Sequence, residues 1–371
     1  MDQKYMELAL ELALKAKGRT SPNPMVGAVV VNKGQIVGQG FHEKAGTPHA
    51  EVHALRDAGA LAEGATVYVT LEPCSHYGRT PPCVEALKAA KVAKVMVATI
   101  DPNPLVSGRG VRLLREAGIE VEIGLMEEKA KQMNRFFNTY ITEKRPYIIA
   151  KAAMTLDGKI ATRTGHSQWI TSPPARERVH RLRDEVDGIL VGIGTVLADN
   201  PALTTRLPGE GQDPHRIILD SDGRLPLEAQ VINPQSEAKT ILATTNRIPK
   251  ERAFELERLG VEVLILPDQD GKIDLHALVK ALGERQVSSL LVEGGAGVHA
   301  SFFEAGLVDE VHMYIAPKII GGQNAYSPVG GLGALTMKGA LQLKNLTVEK
   351  IEEDILIIGF VEKGEALCLQ V

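Results

Sequence analysis

His49, Glu51, Cys74 and Cys83 fall within residues 49–83, which read HAEVHALRDAGALAEGATVYVTLEPCSHYGRTPPC. One imidazole and two thiols form a donor set for zinc that leaves one position of a tetrahedron open. A metal held this way lowers the pKa of water at the open position, and a carboxylate such as Glu51 can then move protons. A purely structural zinc would need a fourth protein ligand, for which His53, one helical turn after His49, is the available residue.

The elements around these residues must bring them to one place. Residues 2–17 carry good helix formers with Met6, Leu10, Ala13 and Leu14 on one face, and Gly18 closes the helix. VGAVVV and QIVGQGF flank Asn32-Lys33-Gly34 and predict a hairpin. HAEVHALRDAG reads as a helix, ATVYVTLE as a buried strand, CVEALKAAK as a helix and KVMVATI as a second buried strand. VRLLREAG, EVEIG and one long helix through residue 143 complete the set. Apolar strands separated by a helix imply parallel pairing and a three-layer α/β domain ending near Lys144-Arg145-Pro146. In that layout His49 opens a helix, Cys74 follows a strand end, and Pro81-Pro82 lead into a helix at Cys83. The His-x-Glu plus Pro-Cys…Cys arrangement matches the zinc-deaminase pattern, which favours a catalytic metal, with His53 packing or facing solvent. Eight residues, not two, separate the cysteines, and the intervening SHYGRTPP brings His76 and Arg79 to the rim of the site.

Composition narrows the alternatives. At 371 residues, 44% hydrophobic and 24% charged, the chain is expected to form two globular domains. A net charge of −4 gives no bulk attraction for nucleic acid. No apolar run reaches membrane-spanning length and the N-terminus lacks a signal-peptide core, so no membrane partner and a cytoplasmic location are expected. Three cysteines, Cys74, Cys83 and Cys368, are too few for a disulfide framework, and Cys368 reads as a bystander thiol.

The second half alternates strands and helices again. PYIIAKAAMTLDGKIAT, GILVGIG, HRIILDS, KTILATT, VEVLILP, SLLVEGG and EVHMYIAPKII read as strands, and 341–362 as two more. Helices are expected after the Ser172 N-cap, at about 249–259, 274–285 and 297–306. The segment after GILVGIG reads as a glycine-punctuated loop. A Rossmann fingerprint fails because Leu197 stands where the third glycine belongs. Gly294, Gly295 and Gly297, between a strand and a helix, are a better place for a phosphate.

The motifs together carry a specific resemblance. PCSHYGRTPPC, with TSPNPMVGAVV and GFHEKAGTPHAE upstream and DPNPLVSGRG downstream, closely resembles the bifunctional deaminase–reductase family of riboflavin biosynthesis. KAAMTLDGKIA, WITS, VGIGTVLADNP, RIILDS and LVEGGAGVHASF look like the reductase half of the same family, so the resemblance runs nearly the full length. It implies an α/β protein with a cytidine-deaminase-like domain over 1–145 and a dihydrofolate-reductase-like domain over 146–371. The implied small-molecule substrate is 2,5-diamino-6-ribosylamino-4(3H)-pyrimidinone 5′-phosphate. It would lose its 2-amino group as ammonia and then accept a hydride from NADPH at C1′ of the ribose.

By this resemblance His49, Cys74 and Cys83 hold Zn2+, Glu51 is the acid/base, and Asn23, His42, His76, Arg79 and Asn103 surround the deaminase substrate. Ala153, Trp169, Thr195, Asp199, Ser221 and the run Gly295, Ala296, Gly297, Val298, His299, Ala300 and Ser301 surround NADPH. Ser167, Arg183, Leu203, Arg206, Glu293 and the nearby Lys151 contact the reductase substrate. Arg183 and Arg206 can grip its 5′-phosphate, while Lys151, Asp199 and Glu293 stand unranked as groups that orient hydroxyls and move a proton. A homo-oligomer is compatible with the family. Two other readings are weaker: a nucleic-acid editing deaminase lacks a basic, aromatic-rich stripe here, and a zinc-stabilised scaffold has no need of Glu51.

Overall fold

The computed structural model describes residues 2–77, 81–104, 106–209, 211–232 and 235–362. The chain divides into two compact units, Met1–Lys144 and Arg145–Val371.

The first unit runs α1 (Asp2–Leu14), β1 (Gly27–Asn32), β2 (Gln35–Phe41), α2 (Ala50–Ala58), β3 (Thr66–Val69), α3 (Cys83–Ala89), β4 (Lys94–Val97), α4 (Arg109–Glu116), β5 (Glu120–Ile123), α5 (Glu127–Met133) and α6 (Arg135–Glu143). Its sheet has the order β2-β1-β3-β4-β5. β3, β4 and β5 are parallel, joined by α3 and α4 as crossovers, and β1 is antiparallel to both its neighbours. The expected hairpin turns through Lys33 and Gly34, both at positive φ, as a two-residue connection requires. Alternation along the strands divides the core into two faces. Val67, Val69, Val95 and Val97 meet the alanines of α2 and Leu87 of α3. Tyr68, Met96, Val29 and Val31 meet Tyr5, Met6 and Leu10 of α1.

Close approach fixes where α2 begins. A Cβ on Gly38 of β2 would lie 2.2 Å from the Ala54 carbonyl oxygen, and one on Gly40 would lie 2.5 Å from His53 Cβ. Small residues on both elements thus let the helix settle on the sheet with its first turn beside the strand ends.

The single long helix expected to run through residue 143 is two helices. Asn134 breaks it with φ −98 and ψ 22. Its side-chain amide donates to the Met25 carbonyl and accepts from the Met25 N–H, both at 2.8 Å. The side chain therefore serves the backbone of a distant loop, and the helix yields at the residue that turns to reach it.

The second unit runs β6 (Tyr147–Thr155), α7 (Pro173–Glu185), β7 (Gly188–Gly192), α8 (Ile193–Asp199), β8 (His215–Leu219), β9 (Thr240–Thr244), α9 (Lys250–Arg258), β10 (Val261–Ile265), β11 (Asp268–Gln269), β12 (Lys272–Ile273), α10 (Leu275–Glu284), β13 (Ser289–Val292), α11 (Ala296–Glu304), β14 (Glu310–Ala316), β15 (Leu343–Ile351) and β16 (Asp354–Val361). The main sheet has the order β10-β9-β8-β7-β13-β6-β14-β16-β15, while β11 and β12 pair separately. It is parallel from β10 to β14, and β16 and β15 close it antiparallel. The parallel strands are covered on both faces. Ile148, Leu190, Ile217 and Leu290 pack with Phe302 of α11 and Leu282 of α10. Ile189, Val191, Ile218 and Leu242 pack with Leu256 of α9.

Ser172 caps α7 as expected, accepting from the Ala175 N–H with proline in the first turn. The segment read as a loop after β7 is α8 instead. Seven residues are too few to display a 3.6-residue period, and Gly194 masks the helix in the sequence.

Candidate active sites

In the first unit the site forms where α2 starts and β3 ends. His49 is the N-cap of α2, and Glu51 lies in its first turn, 3% exposed. β3 runs out through Glu72-Pro73 to Cys74, and Pro82 is the N-cap of α3, whose first residue is Cys83. His49 Nδ1 lies 3.2 Å from Cys83 Sγ and 3.5 Å from Cys74 Sγ. The Cys83 N–H donates to Cys74 Sγ at 3.2 Å. All three ligand atoms lie within 4.8 Å of one another, so one ion can touch them together. His53 does not join this group.

Charge is crowded here. A hydrogen bond from the Cys83 thiol, with help from His49 and the Cys83 N–H, holds Cys74 well below the usual thiol range against the effect of burial. The same bond, together with burial, pushes Cys83 up. Burial and then the Cys74 charge push Glu51 up to about 7, with His49 pulling the other way. Glu51 Oε2 is buried without a hydrogen-bond partner. Two adjacent thiols that cannot both ionise unaided, beside an orphaned carboxylate oxygen, fit a zinc ion and its water.

A cavity of about 250 Å³ opens on this cluster and brings Asn23, His42, His76 and Asn103 together with His49, Glu51 and Cys74. Cys83 is buried at 1% exposure. Arg79 lies outside the described residues. The cavity also includes Glu72, Asp101, Phe137 and Ile141, which the sequence did not single out. Glu72 accepts backbone N–H bonds of 2.8–3.2 Å from Asp101, Gly108, Gly110 and Val111. It thereby holds the segment that carries Asn103. Phe137 and Ile141 arrive on α6 because Asn134 ends α5. No local pattern marks either role, since both act through distant backbone.

In the second unit a cavity of about 670 Å³ lies past the C-terminal ends of β6, β7 and β13, where parallel α/β sheets bind ligands. It gathers Lys151, Ala153, Ser167, Thr195, Asp199, Glu293 and residues 295–299. Its floor is glycine. A Cβ on Gly294 would lie 2.4 Å from Val191 Cα, so the turn after β13 passes tightly over β7. Gly295 has φ +68, and a Cβ on Gly297 or Gly194 would meet no atom within 4 Å. The start of α11 therefore presents bare backbone N–H groups to open space. This suits the phosphates of a dinucleotide, so the residues present fit NADPH.

Glu293 forms the polar centre. Arg183 Nε and Nη2 reach its two carboxylate oxygens at 2.8 and 2.9 Å, and Lys151 Nζ lies 3.2 Å from Oε2. Burial alone would raise this carboxyl, but the Arg183 and Lys151 charges overcome it and hold Glu293 well below the usual carboxylate range. Burial pushes Asp199, on the cavity wall, in the opposite direction.

Several expected contacts are differently placed. Arg183 directs Nε and Nη2 to Glu293 and Nη1 to the Thr204 carbonyl, so three of its five N–H donors are committed within the protein. Two of its N–H groups remain for a substrate. The Leu203 side chain is 3% exposed and belongs to the core beside Ile189 and Val191, which leaves only its main chain for a substrate. Trp169 is 60% exposed, with the Arg176 guanidinium 4.4 Å from its ring centre. Trp169, Ser221, Arg206, Ala300 and Ser301 are not on the cavity wall. Arg206 instead meets His180, a residue the sequence reading passed over.

Comparison with known proteins identifies a family for each half of the chain. Residues 1–99 match the family described as cytidine and deoxycytidylate deaminase zinc-binding region, and residues 146–357 match the RibD C-terminal domain. The chain is 50% identical to riboflavin biosynthesis protein RibD of Aquifex aeolicus (strain VF5), covering 96% of this chain and 98% of that protein. It is 46% identical to the RibD of Escherichia coli (strain K12), covering 86% and 89%. Among solved structures, Acinetobacter baumannii RibD superposes with a TM-score of 0.87 at 41% identity over 97% of this chain and 99% of that one. A Thermotoga maritima diaminohydroxyphosphoribosylaminopyrimidine deaminase/5-amino-6-(5-phosphoribosylamino)uracil reductase superposes with a TM-score of 0.85 at 38% identity, covering 97% and 99%. The chain belongs to the RibD family of bifunctional riboflavin-biosynthesis proteins.

Proposed function

We propose that the unit ending at Lys144 deaminates 2,5-diamino-6-ribosylamino-4(3H)-pyrimidinone 5′-phosphate and that the following unit reduces the product's ribosyl group to ribityl. The observation that carries this reading is the pairing, in one chain, of the His49–Cys74–Cys83 donor cluster beside the unpartnered Glu51 Oε2 with a separate glycine-floored cavity around Glu293.

In the deaminase site His49, Cys74 and Cys83 would hold zinc, which when bound supplies water activated for attack on the ring carbon. Glu51 takes a proton from that water and delivers protons to the ring nitrogen and to the departing amine, which leaves as ammonia. Its burial within the cavity suits it to hold a proton between those transfers. Asn23, His42, His76 and Asn103 orient the pyrimidine, and Arg79 is proposed to join them on the resemblance alone.

In the reductase site NADPH would lie along Gly295–His299 and Thr195, supplying the hydride to C1′. Glu293 is a fixed anion and aligns Arg183 and Lys151, whose remaining ammonium N–H groups can bind sugar hydroxyls. Asp199, whose carboxyl is raised by burial, lines the same cavity as Lys151 and Glu293.

The sparse cysteines and paired thiols suit a reducing cytoplasm, and no helix among the described residues is long and apolar enough to cross a membrane. Leu332, Leu335, Met337 and Val348 are between 69% and 94% exposed, which supports burial against a second copy of the chain. A monomer in sedimentation at micromolar concentration would remove that part of the proposal.

Anaerobic turnover of the diaminopyrimidinone phosphate, following ammonia and NADPH separately, tests the whole reading. Ammonia should appear without NADPH, and NADPH oxidation should follow it. Oxidation of NADPH ahead of ammonia would reverse the order, and absence of both would reject the substrate.

A further inference from the structure

Residues 156–170, which lead from β6 towards α7, form neither helix nor strand. They nevertheless supply Ile160, Ala161, Gly165 and Ser167 to the wall of the reductase cavity. A segment this long without regular structure is uncommon in a compact unit unless it serves a binding site.

Both ends of this loop are fastened to one place. β6 and β14 leave the sheet side by side, with Thr155 opposite Ala316. At the near end the Leu156 N–H donates to the Lys318 carbonyl at 2.9 Å. The Asp157 carboxylate accepts from the N–H groups of Ile320 and Gly321 at 3.2 and 2.7 Å, and from the buried Thr155 hydroxyl at 2.6 Å. At the far end the Lys318 ammonium donates to the carbonyls of Trp169 and Ile170 at 2.8 and 2.6 Å. Between the two, the Ile160 N–H donates to the Tyr326 carbonyl at 2.8 Å. The tip closes on itself, as the Thr162 N–H and hydroxyl bond the His166 carbonyl and N–H at 3.0 and 3.1 Å. The segment that holds the loop is itself tied to the opposite wall. His299 Nδ1 lies 2.9 Å from the Pro328 carbonyl oxygen, and the Gly330 N–H donates to the Ala296 carbonyl at 2.9 Å.

We propose that Asp157 and Lys318 are positioning residues for reduction, clasping both ends of the 156–170 loop onto the turn after β14 and so holding Ser167 across from the glycine floor. Neither side chain lines the cavity, so each acts through the loop. The role in reduction rests on the reductase reading of the cavity, whereas the clasp itself does not. Lys318 is exposed, so removing its charge changes stability little. A displacement of about 1 Å at the reacting atoms, by contrast, costs up to about a hundredfold in rate.

The test uses the full chain with NADPH and the deaminated ribosyl phosphate, beside limited trypsin digestion of the same samples. Lys159 and Arg163 place two cleavage points inside the loop. Lys318→Met removes the far tie. In Asp157→Asn the new amide NH2 faces either the Ile320 or the Gly321 N–H. Each change should speed cleavage at Lys159 and Arg163 about tenfold or more. Each should also lower kcat for reduction by about tenfold to a hundredfold. Lys318→Arg, which keeps donors, should recover most of both, and ammonia release should not change in any variant. The double variant should be about as slow as the slower single one, because freeing either end already frees the loop. Parental cleavage rates in Lys318→Met and Asp157→Asn, or losses that multiply in the double variant, would overturn the clasp. Faster cleavage with parental kcat would overturn the positioning role. A parent chain unable to reduce the ribosyl phosphate would sink the reductase reading and the positioning role with it, while the cleavage rates still decide the clasp.

Discussion

Replacing Glu293 with glutamine removes the one negative charge shared by two cations that are nearly out of water. The side chains of Glu293, Lys151 and Arg183 are 8%, 13% and 12% exposed, so solvent does little to screen the change. Breaking such a buried pair from one side costs about 3–5 kcal/mol, because the partners' charges stay behind uncompensated. In a unit of roughly 150–250 residues that lowers Tm by about 6–20 °C. Trp169 is the only tryptophan in the chain and lies in the second unit, so its fluorescence reports the unfolding of that unit. The pH dependence has a definite sign. Glu293 is held below its ordinary carboxylate range, so its contribution is present above the unfolded value of about 4.3 and is lost as pH falls through the folded value. The stability gap between parent and Glu293→Gln should therefore be flat from about pH 8 to about pH 5.5 and shrink below about pH 4.3. NADPH oxidation should fall while ammonia release holds. A variant as stable as the parent across this range would show that Glu293 is not the shared anion, and unchanged reduction kinetics would remove it from the site.

Two further substitutions probe supports outside the chemistry. Asn134→Ala leaves the Met25 N–H and carbonyl without their side-chain partner, at a cost of about 1–3 kcal/mol. It should raise KM for deamination and leave reduction of the deaminated intermediate unchanged in a steady-state assay of each. Gly294→Ala would force a Cβ to within 2.4 Å of Val191 Cα, where only backbone movement can relieve the overlap. Weakened NADPH binding in a fluorescence titration, with ammonia release intact, is the expected outcome, and unaltered NADPH affinity would contradict the tight turn's role.

Much of the frame was legible because it rests on local pattern. The Asn32-Lys33-Gly34 hairpin, the Ser172 cap and the apolar parallel strands each have a signature within a few residues. So do the candidate metal ligands, since His49, Cys74 and Cys83 stand at element ends that proline and strand boundaries mark. What escaped depends on partners far apart in sequence. Asn134 reads as an ordinary helix residue until Met25 is beside it. Glu72 reads as a strand end until four backbone N–H groups from 101–111 converge on it. The ion pair of Arg183 with Glu293 joins residues 110 apart in sequence, and nothing local announces it. Leu203 matched a family position, yet a leucine's burial is decided by the sheet it packs on.

The most direct test of two independent sites in one chain is removal of the metal from the full-length protein with a chelator, followed by separate assays. Ammonia release from the diaminopyrimidinone phosphate should disappear and return with added zinc, while NADPH-dependent reduction of the deaminated intermediate should continue at its original rate. Ammonia release that survives complete metal removal, or loss of both activities together, would contradict the assignment of the His49–Cys74–Cys83 cluster to deamination alone.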